Sequence, residues 1–400
     1  MGSYSTAPAA GDAFHERHIP ALDGIRGIAI LAVLLHHSRY LLNPGFHFQY
    51  YLVKFFELGW CGVILFFVLS GFLITGILLD TRASPNYFST FYARRFLRIF
   101  PLYYASLALI FLGSRVLHHW FGGVDPIGHV NPWWYLGYAQ NFRPNSSLLD
   151  PYLGHLWSLA VEEQFYLVWP LLVLLLKPRW LTFTCLAAIP ASFLIRFHYA
   201  GRSSDLSAFV NTFTPASLDA LAAGALIAMA VRNPGWRRRA AVVARPLILL
   251  LIAGFVILAR RAGGLFEYLP LIQSWGTSVL TLIFAALIFI AATSSRGALV
   301  AFFQLKGLRF IGKISYSLYV LHPIVFALVI PVLGAVPVPA SLDLALNSEK
   351  IILVLLASIT VAAGSWFYFE KPILGLKKYF RYEQQSHFAR ETASAANAAD

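Results

Sequence analysis

The sequence predicts an all-α membrane protein, a polytopic helix bundle with about ten transmembrane helices. Three observations carry that prediction. Apolar residues make up 58% of the 400-residue chain and charged residues only 12%, half the ~25% charge of a typical soluble domain. The apolar residues fall into ten runs, each long enough to approach the ~30 Å hydrocarbon core. Lys and Arg then alternate from side to side of successive runs, as in multi-pass proteins.

Residues 1–18, "MGSYSTAPAAGDAFHERH", are polar and read as a flexible cytoplasmic N-terminus. "APAA" resembles a signal-peptidase site, but no apolar core precedes it, so the first hydrophobic helix is expected to act as an uncleaved insertion signal. The ten runs lie near 22–42, 58–79, 98–114, 155–176, 180–198, 214–231, 246–259, 271–292, 313–334 and 351–369. The third and seventh are the weakest, and the sixth contains Asp219, an intramembrane acid expected to face protein, either in a pair with an arginine or in direct chemistry. With the N-terminus inside, the inner segments hold Arg17 and Arg26; Arg82, Arg94, Arg95 and Arg98; Lys177 and Arg179; Arg232, Arg237, Arg238, Arg239 and Arg245; Arg296, Lys306, Arg309 and Lys313; and Lys371, Lys377, Lys378, Arg381 and Arg390. Together these are 22 of the 31 basic residues, which predicts both termini on the cytoplasmic side. The outer loop at about 115–154 contains "NPWWYLGYAQNFRP", rich in Trp and Tyr, and reads as a lid or interfacial segment. The expected division is a flexible N-terminus over 1–18, a transmembrane domain over 19–380 and a cytoplasmic tail over 381–400. Only that short tail follows the last run, so any chemistry is expected within the bundle or with a separate partner.

The net charge of +13 is topological on this reading and predicts no nucleic-acid partner. Cys61 and Cys185 are far apart in apolar runs and suit packing, not a disulfide framework or a C-x-x-C site. The adjacent His36 and His37 lack the i,i+4 spacing of a metal pair, so no metal is expected. No phosphate-binding glycine loop, dinucleotide fingerprint or G-x-S-x-G elbow is present.

The first run, "LDGIRGIAILAVLLHHS", keeps three polar side chains. Eleven steps of 100° bring His37 to within about 20° of Arg26 around the helix, some 16 Å further along its axis; His36 falls about 80° away. Such groups are costly in a membrane and usually face a bundle interior or a wet cavity, and imidazole is suited to moving a proton near neutral pH. The plainer alternative is that Arg26 snorkels to the interface and His37 makes one helix–helix hydrogen bond.

The same stretch resembles the opening motif of the membrane acyltransferase-3 family, Arg followed by ten residues and His. The resemblance continues through "GVILFFVLSGFLIT" (62–75), "FYARRFLRIFPLYY" (91–104), "LWSLAVEEQFYLVWP" (156–170), "LDALAAGALIA" (218–228), "ISYSLYVLHPIV" (314–325) and "FEKPIL" (369–374). It implies ten core helices and an O-acyltransferase of the bacterial inner membrane, with no tightly bound cofactor. An acyl-CoA, commonly acetyl-CoA, would be the donor, and a hydroxyl of a saccharide or lipid-linked glycan the acceptor. His37 would be the general base.

Four further sets of residues are candidates. Arg95 and Arg98, three apart, project to one side of what reads as a helix start and suit bidentate phosphate binding or inner-face anchoring; the resemblance assigns them to acyl-CoA handling, and Arg26 would bind a donor group lower in the same channel or orient its neighbours. Glu162 and Glu163 point about 100° apart, and one would support the His37 imidazolium, or both simply complement a helix N-terminus. Trp157, Ser158 and Gln164 are expected to help hold the acceptor. His322, followed by Pro323, either lines a cavity or is a satisfied packing histidine. A transporter or flippase for a glycan or lipid explains ten helices and a polar interior as well.

Overall fold

The computed structural model describes residues 18–42, 47–121, 127–128, 130–143, 152–334 and 343–383, and these are helical apart from turns and short connections. Among the described residues, ten helices are long and apolar enough to cross a membrane: Pro20–Leu41, Gln49–Asp80, Tyr87–Val116, Gly154–Leu175, Pro178–Tyr199, Ser204–Arg232, Pro234–Ala262, Ile272–Thr293, Ser315–Val332 and Glu349–Tyr379. Each overlaps one predicted run. The polar N-terminal segment through residue 17, the tail from residue 384 and parts of the outer loop lie outside the described residues.

The largest departures from expectation are at helix ends. The third span starts at Tyr87 rather than near 98, so Arg94, Arg95 and Arg98 sit inside a helix and not at its start. The seventh starts at Pro234, with the Asn233 side chain accepting from the Trp236 N–H, and takes in Arg237, Arg238, Arg239 and Arg245. Arginine is a good helix former whose apolar stem tolerates partial burial, so hydropathy ends these elements before the helix does. Proline in the first turn opens the first, fifth and seventh spans, where its missing N–H costs nothing.

The first, second and sixth spans form the centre. The second and sixth touch backbone to backbone: a Cβ at Gly71 would overlap the Leu221 carbonyl, and one at Gly224 the Val68 carbonyl. The first span meets the short helix Lys306–Lys313 in the same way, through Gly27 against Leu308 and Gly312 against Asp23. In membranes, where apolar burial does not drive helices together, such small-residue contacts permit the close packing that does. Asp219 pairs with Arg196 of the fifth span, both buried, and Asp80 with Arg232 at 2.6 Å. The arginine pairing expected for Asp219 is thus present. A second core joins the first, third, fourth and ninth spans through Val33, Tyr103, Leu159 and Leu318, and the polar face of the first span runs beside it.

Candidate active site

That polar face is open at both ends. A cavity of about 460 Å³ is lined by Asp23, Arg26, Arg98, Lys306, Arg309 and Lys313, with Tyr316 and Glu370. A larger one, about 1060 Å³, is lined by His36, His37, His155, Trp157, Tyr319 and Glu267 among others. Arg26 and His37 therefore share a helix face, as the 100° turn predicts, but line different cavities.

In the larger cavity, His37 Nδ1 contacts the Val33 carbonyl at 2.9 Å. A proton on Nδ1 leaves Nε2 as the basic ring nitrogen available to a substrate. Its neighbours are histidines: the His322 ring lies 4.9 Å away and that of His36 5.4 Å, and His155 lies 5.2 Å from His322. His322 is buried, its Nδ1 on the Leu318 and Tyr319 carbonyls and its Nε2 without a partner among the described residues. Trp157 lines this cavity with its ring edge-on to Phe67. Ser158 and Gln164 do structural work. Ser158 is hydrogen-bonded to the Tyr319 hydroxyl, which in turn donates to the His155 carbonyl at 2.6 Å. Gln164 donates to the Tyr138 carbonyl and Asn141 and accepts from Thr214.

The two carboxylates lie elsewhere. Glu162 accepts from Ser70 at 2.7 Å and from Tyr166 at 3.0 Å, with Arg98 and Arg26 in electrostatic reach. Glu163 has a buried Oε1 with no hydrogen-bond partner among the described residues and interacts electrostatically with Arg95. Among the described residues no hydrogen bond or ion pair joins either to His37. The pair faces the arginines of the smaller cavity's end, and the expected carboxylate support of His37 is replaced by imidazole neighbours and a backbone carbonyl.

Arg26 lies 3.7 Å from Asp23, which also contacts His18 at 2.7 Å. Of the two spaced arginines, Arg98 lines the smaller cavity, while Arg95 is set back with its guanidinium 5.9 Å from the Phe91 ring centre. Lys306, Arg309 and Lys313, spaced three and four apart on one short helix, add their charges to the same wall. Opposite them Glu370 accepts from Ser317 and, at 3.2 Å, from Ser365. A mostly cationic cavity with two flanking acids suits a polyanionic ligand.

Several of these residues escaped the sequence reading. Lys306, Arg309 and Lys313 were absorbed by the topological account of basic residues, although their helical spacing is a usable signal. His155, Glu267 and Tyr319 carry no local signal that separates them from packing residues. Tyr138 adopts a left-handed backbone (φ 51°) and buries a hydroxyl without a partner; that burial pushes its phenol well above the ordinary value. Such a conformation is unusual for a bulky residue. The loop is held here by Tyr103 on the Tyr135 carbonyl, Tyr104 on the Leu136 carbonyl and Gln164 on the Tyr138 carbonyl. Among the described residues no group of three or more His, Cys, Asp or Glu has metal-binding geometry.

A model of the acyltransferase-3 family, described as an acyltransferase domain, matches residues 19–370. The chain is 28% identical to peptidoglycan O-acetyltransferase OatA of Listeria monocytogenes over 417 aligned residues, covering 94% of this chain and 59% of that protein. It is equally, 28%, identical to O-acetyltransferase OatA of Staphylococcus aureus over 401 aligned residues, covering 94% and 61%. It thus spans about 60% of the length of these curated relatives. No solved structure matches the chain.

Proposed function

The chain belongs to the acyltransferase-3 family, and from that premise we propose that it transfers an acetyl group from acetyl-CoA to a hydroxyl of a cell-wall saccharide across the membrane it spans. The observation that supports this most is the division of one helix face: Arg26 in a small cationic cavity, His37 in a large cavity with a cluster of imidazoles. The cationic end lies among the segments that carry most Lys and Arg, so it is assigned to the cytoplasm, where acyl-CoA is found.

The donor phosphates bind Arg26, Arg98, Lys306, Arg309 and Lys313, as charge-assisted contacts of this kind are the strong ones. Arg95 acts from behind, through the field it shares with Arg98 and Glu163. The acyl-pantetheine arm then follows the first span for about 16 Å toward His37. There Nε2 of His37 takes the proton of the acceptor hydroxyl as its oxygen attacks the thioester carbonyl. The C–S bond breaks, the CoA sulfur leaves as thiolate, and the imidazolium returns the proton to it. His322 and His155 keep the ring of His37 in place. The saccharide lies in the outer cavity against Trp157; this acceptor class is suggested by the names of the relatives. Glu162 and Glu163 balance the arginines along the donor route.

His37→Ala in the purified, reconstituted protein tests the base. General-base removal typically costs about 10²–10⁴-fold in rate, so acetyl transfer from radiolabelled acetyl-CoA to soluble peptidoglycan strands is expected to fall by at least 100-fold. Full transfer by the variant would refute the assignment. Movement of saccharide across the bilayer without covalent label would instead favour a transporter.

A further inference from the structure

The outer cavity holds a second polar focus that the transfer chemistry does not use. His36 points away from the Arg26–His37 face. Its Nδ1 meets the Glu57 carbonyl at 3.2 Å, which turns Nε2 toward Glu267, 3.8 Å away. Glu267 comes from the connection between the seventh and eighth spans, and that connection is fixed in place. Gly263, at φ 78°, closes the seventh span with a left-handed cap. Trp60 Nε1 donates to the Leu265 carbonyl at 2.9 Å, and the Arg39 guanidinium lies 5.8 Å from the Phe266 ring centre. One carboxylate oxygen faces His36; the other, Oε2, is buried with no hydrogen-bond partner among the described residues.

A buried acceptor without a donor is costly and calls for a partner. The surrounding cavity says which kind. Trp60, Phe266 and Tyr268 offer flat apolar faces, and Glu267 and Arg39 offer an acceptor and donors. A saccharide has this complement, with a ring face that stacks and hydroxyls that donate to carboxylate. Because His36 and His37 are adjacent and their rings 5.4 Å apart, a sugar hydroxyl on Glu267 brings a nearby hydroxyl toward His37.

We propose that Glu267, beside His36, is an acceptor-positioning residue: its carboxylate holds one hydroxyl of the saccharide while another is acetylated at His37. The inference rests on the acetyl-transfer reading above. It also has a pH signature. The groups facing Glu267 are His36, Arg39, Glu57 and Tyr268, and burial pushes the Glu267 carboxyl up to about 7. Acceptor binding by the ionised carboxylate therefore weakens as pH falls through that value.

The test uses the full chain in proteoliposomes, radiolabelled acetyl-CoA and soluble peptidoglycan strands as the acceptor probe. Glu267→Gln is expected to raise the acceptor KM about tenfold, the loss of roughly one hydrogen bond to a charged group, with the donor KM unchanged. Wild-type acceptor KM should rise as pH drops from 8 to 6, and Glu267→Gln should lack that limb. Glu267→Asp should recover part of the loss, which keeps the test decisive if Glu267→Gln fails to fold. An unchanged acceptor KM, a parallel rise in donor KM, or an identical pH limb in the variant would overturn the proposal while leaving acetyl transfer standing. Wild-type protein that labels no strands at all would remove the acetyl-transfer reading, and this inference with it.

Discussion

Gly312→Ala should damage donor use without touching any charged group. Gly312 lies on the short helix Lys306–Lys313, where a Cβ would run into the Asp23 carbonyl of the first span and crowd the Gly27 amide. Both obstacles are backbone, so no side chain can swing aside and the two helices must separate. Forced overpacking of this kind costs about 1–3 kcal/mol. The functional effect is larger, because Arg309 and Lys313 ride on that helix and face Arg26 across the smaller cavity. A misplacement of about 1 Å in a positioning group can cost on the order of 100-fold. Steady-state kinetics in proteoliposomes should therefore show a donor KM raised at least tenfold with a nearly unchanged acceptor KM, while thermal unfolding in detergent shows a lowered midpoint. A variant with wild-type donor KM and wild-type midpoint would refute the claim that the first span and this helix are locked at Gly312 to shape a donor site.

Two further outcomes follow from the same geometry. Arg98→Ala should raise donor KM by more than tenfold, as a charge-assisted contact contributes about 1.5–3 kcal/mol, and Arg95→Ala should have a smaller effect because only Arg98 lines the cavity; equal effects in donor titrations would contradict that placement. The Glu267 carboxyl, pushed up from its ordinary 4.5 to about 7, binds its proton more tightly in the folded chain, so unfolding releases a proton between those values and stability falls as pH rises through them. That change amounts to about 3 kcal/mol, and Glu267→Gln should lack it; parallel melting curves for both proteins from pH 5 to 8 would show the carboxyl is not buried as described.

The ten helices were legible because crossing a hydrocarbon layer imposes long apolar runs and basic inner ends. Their ends were less so: Arg94, Arg95 and Arg98 interrupt hydropathy but not the helix. Within the site, the Arg26–His37 alignment was readable because both residues sit on one helix whose 100° turn fixes their relation. Relations between helices were not. Nothing local indicates that His37 would meet His322 instead of Glu163, that Gln164 would anchor the Tyr138 loop, or that Glu267 would reach His36 from a connection more than two hundred residues away. Those contacts depend on how separate elements pack, and a single sequence shows close-approach glycines such as Gly71, Gly224, Gly27 and Gly312 but not their partners.

The most direct test of a two-sided reaction uses proteoliposomes in which the chain has one orientation, with radiolabelled acetyl-CoA supplied to one face and peptidoglycan strands, which do not cross the bilayer, to the other. Label should reach the strands only when acetyl-CoA meets the Arg98 face and the strands meet the Glu267 face, and His37→Ala should abolish it. Label that appears only when donor and acceptor share a face would contradict transfer along the first span.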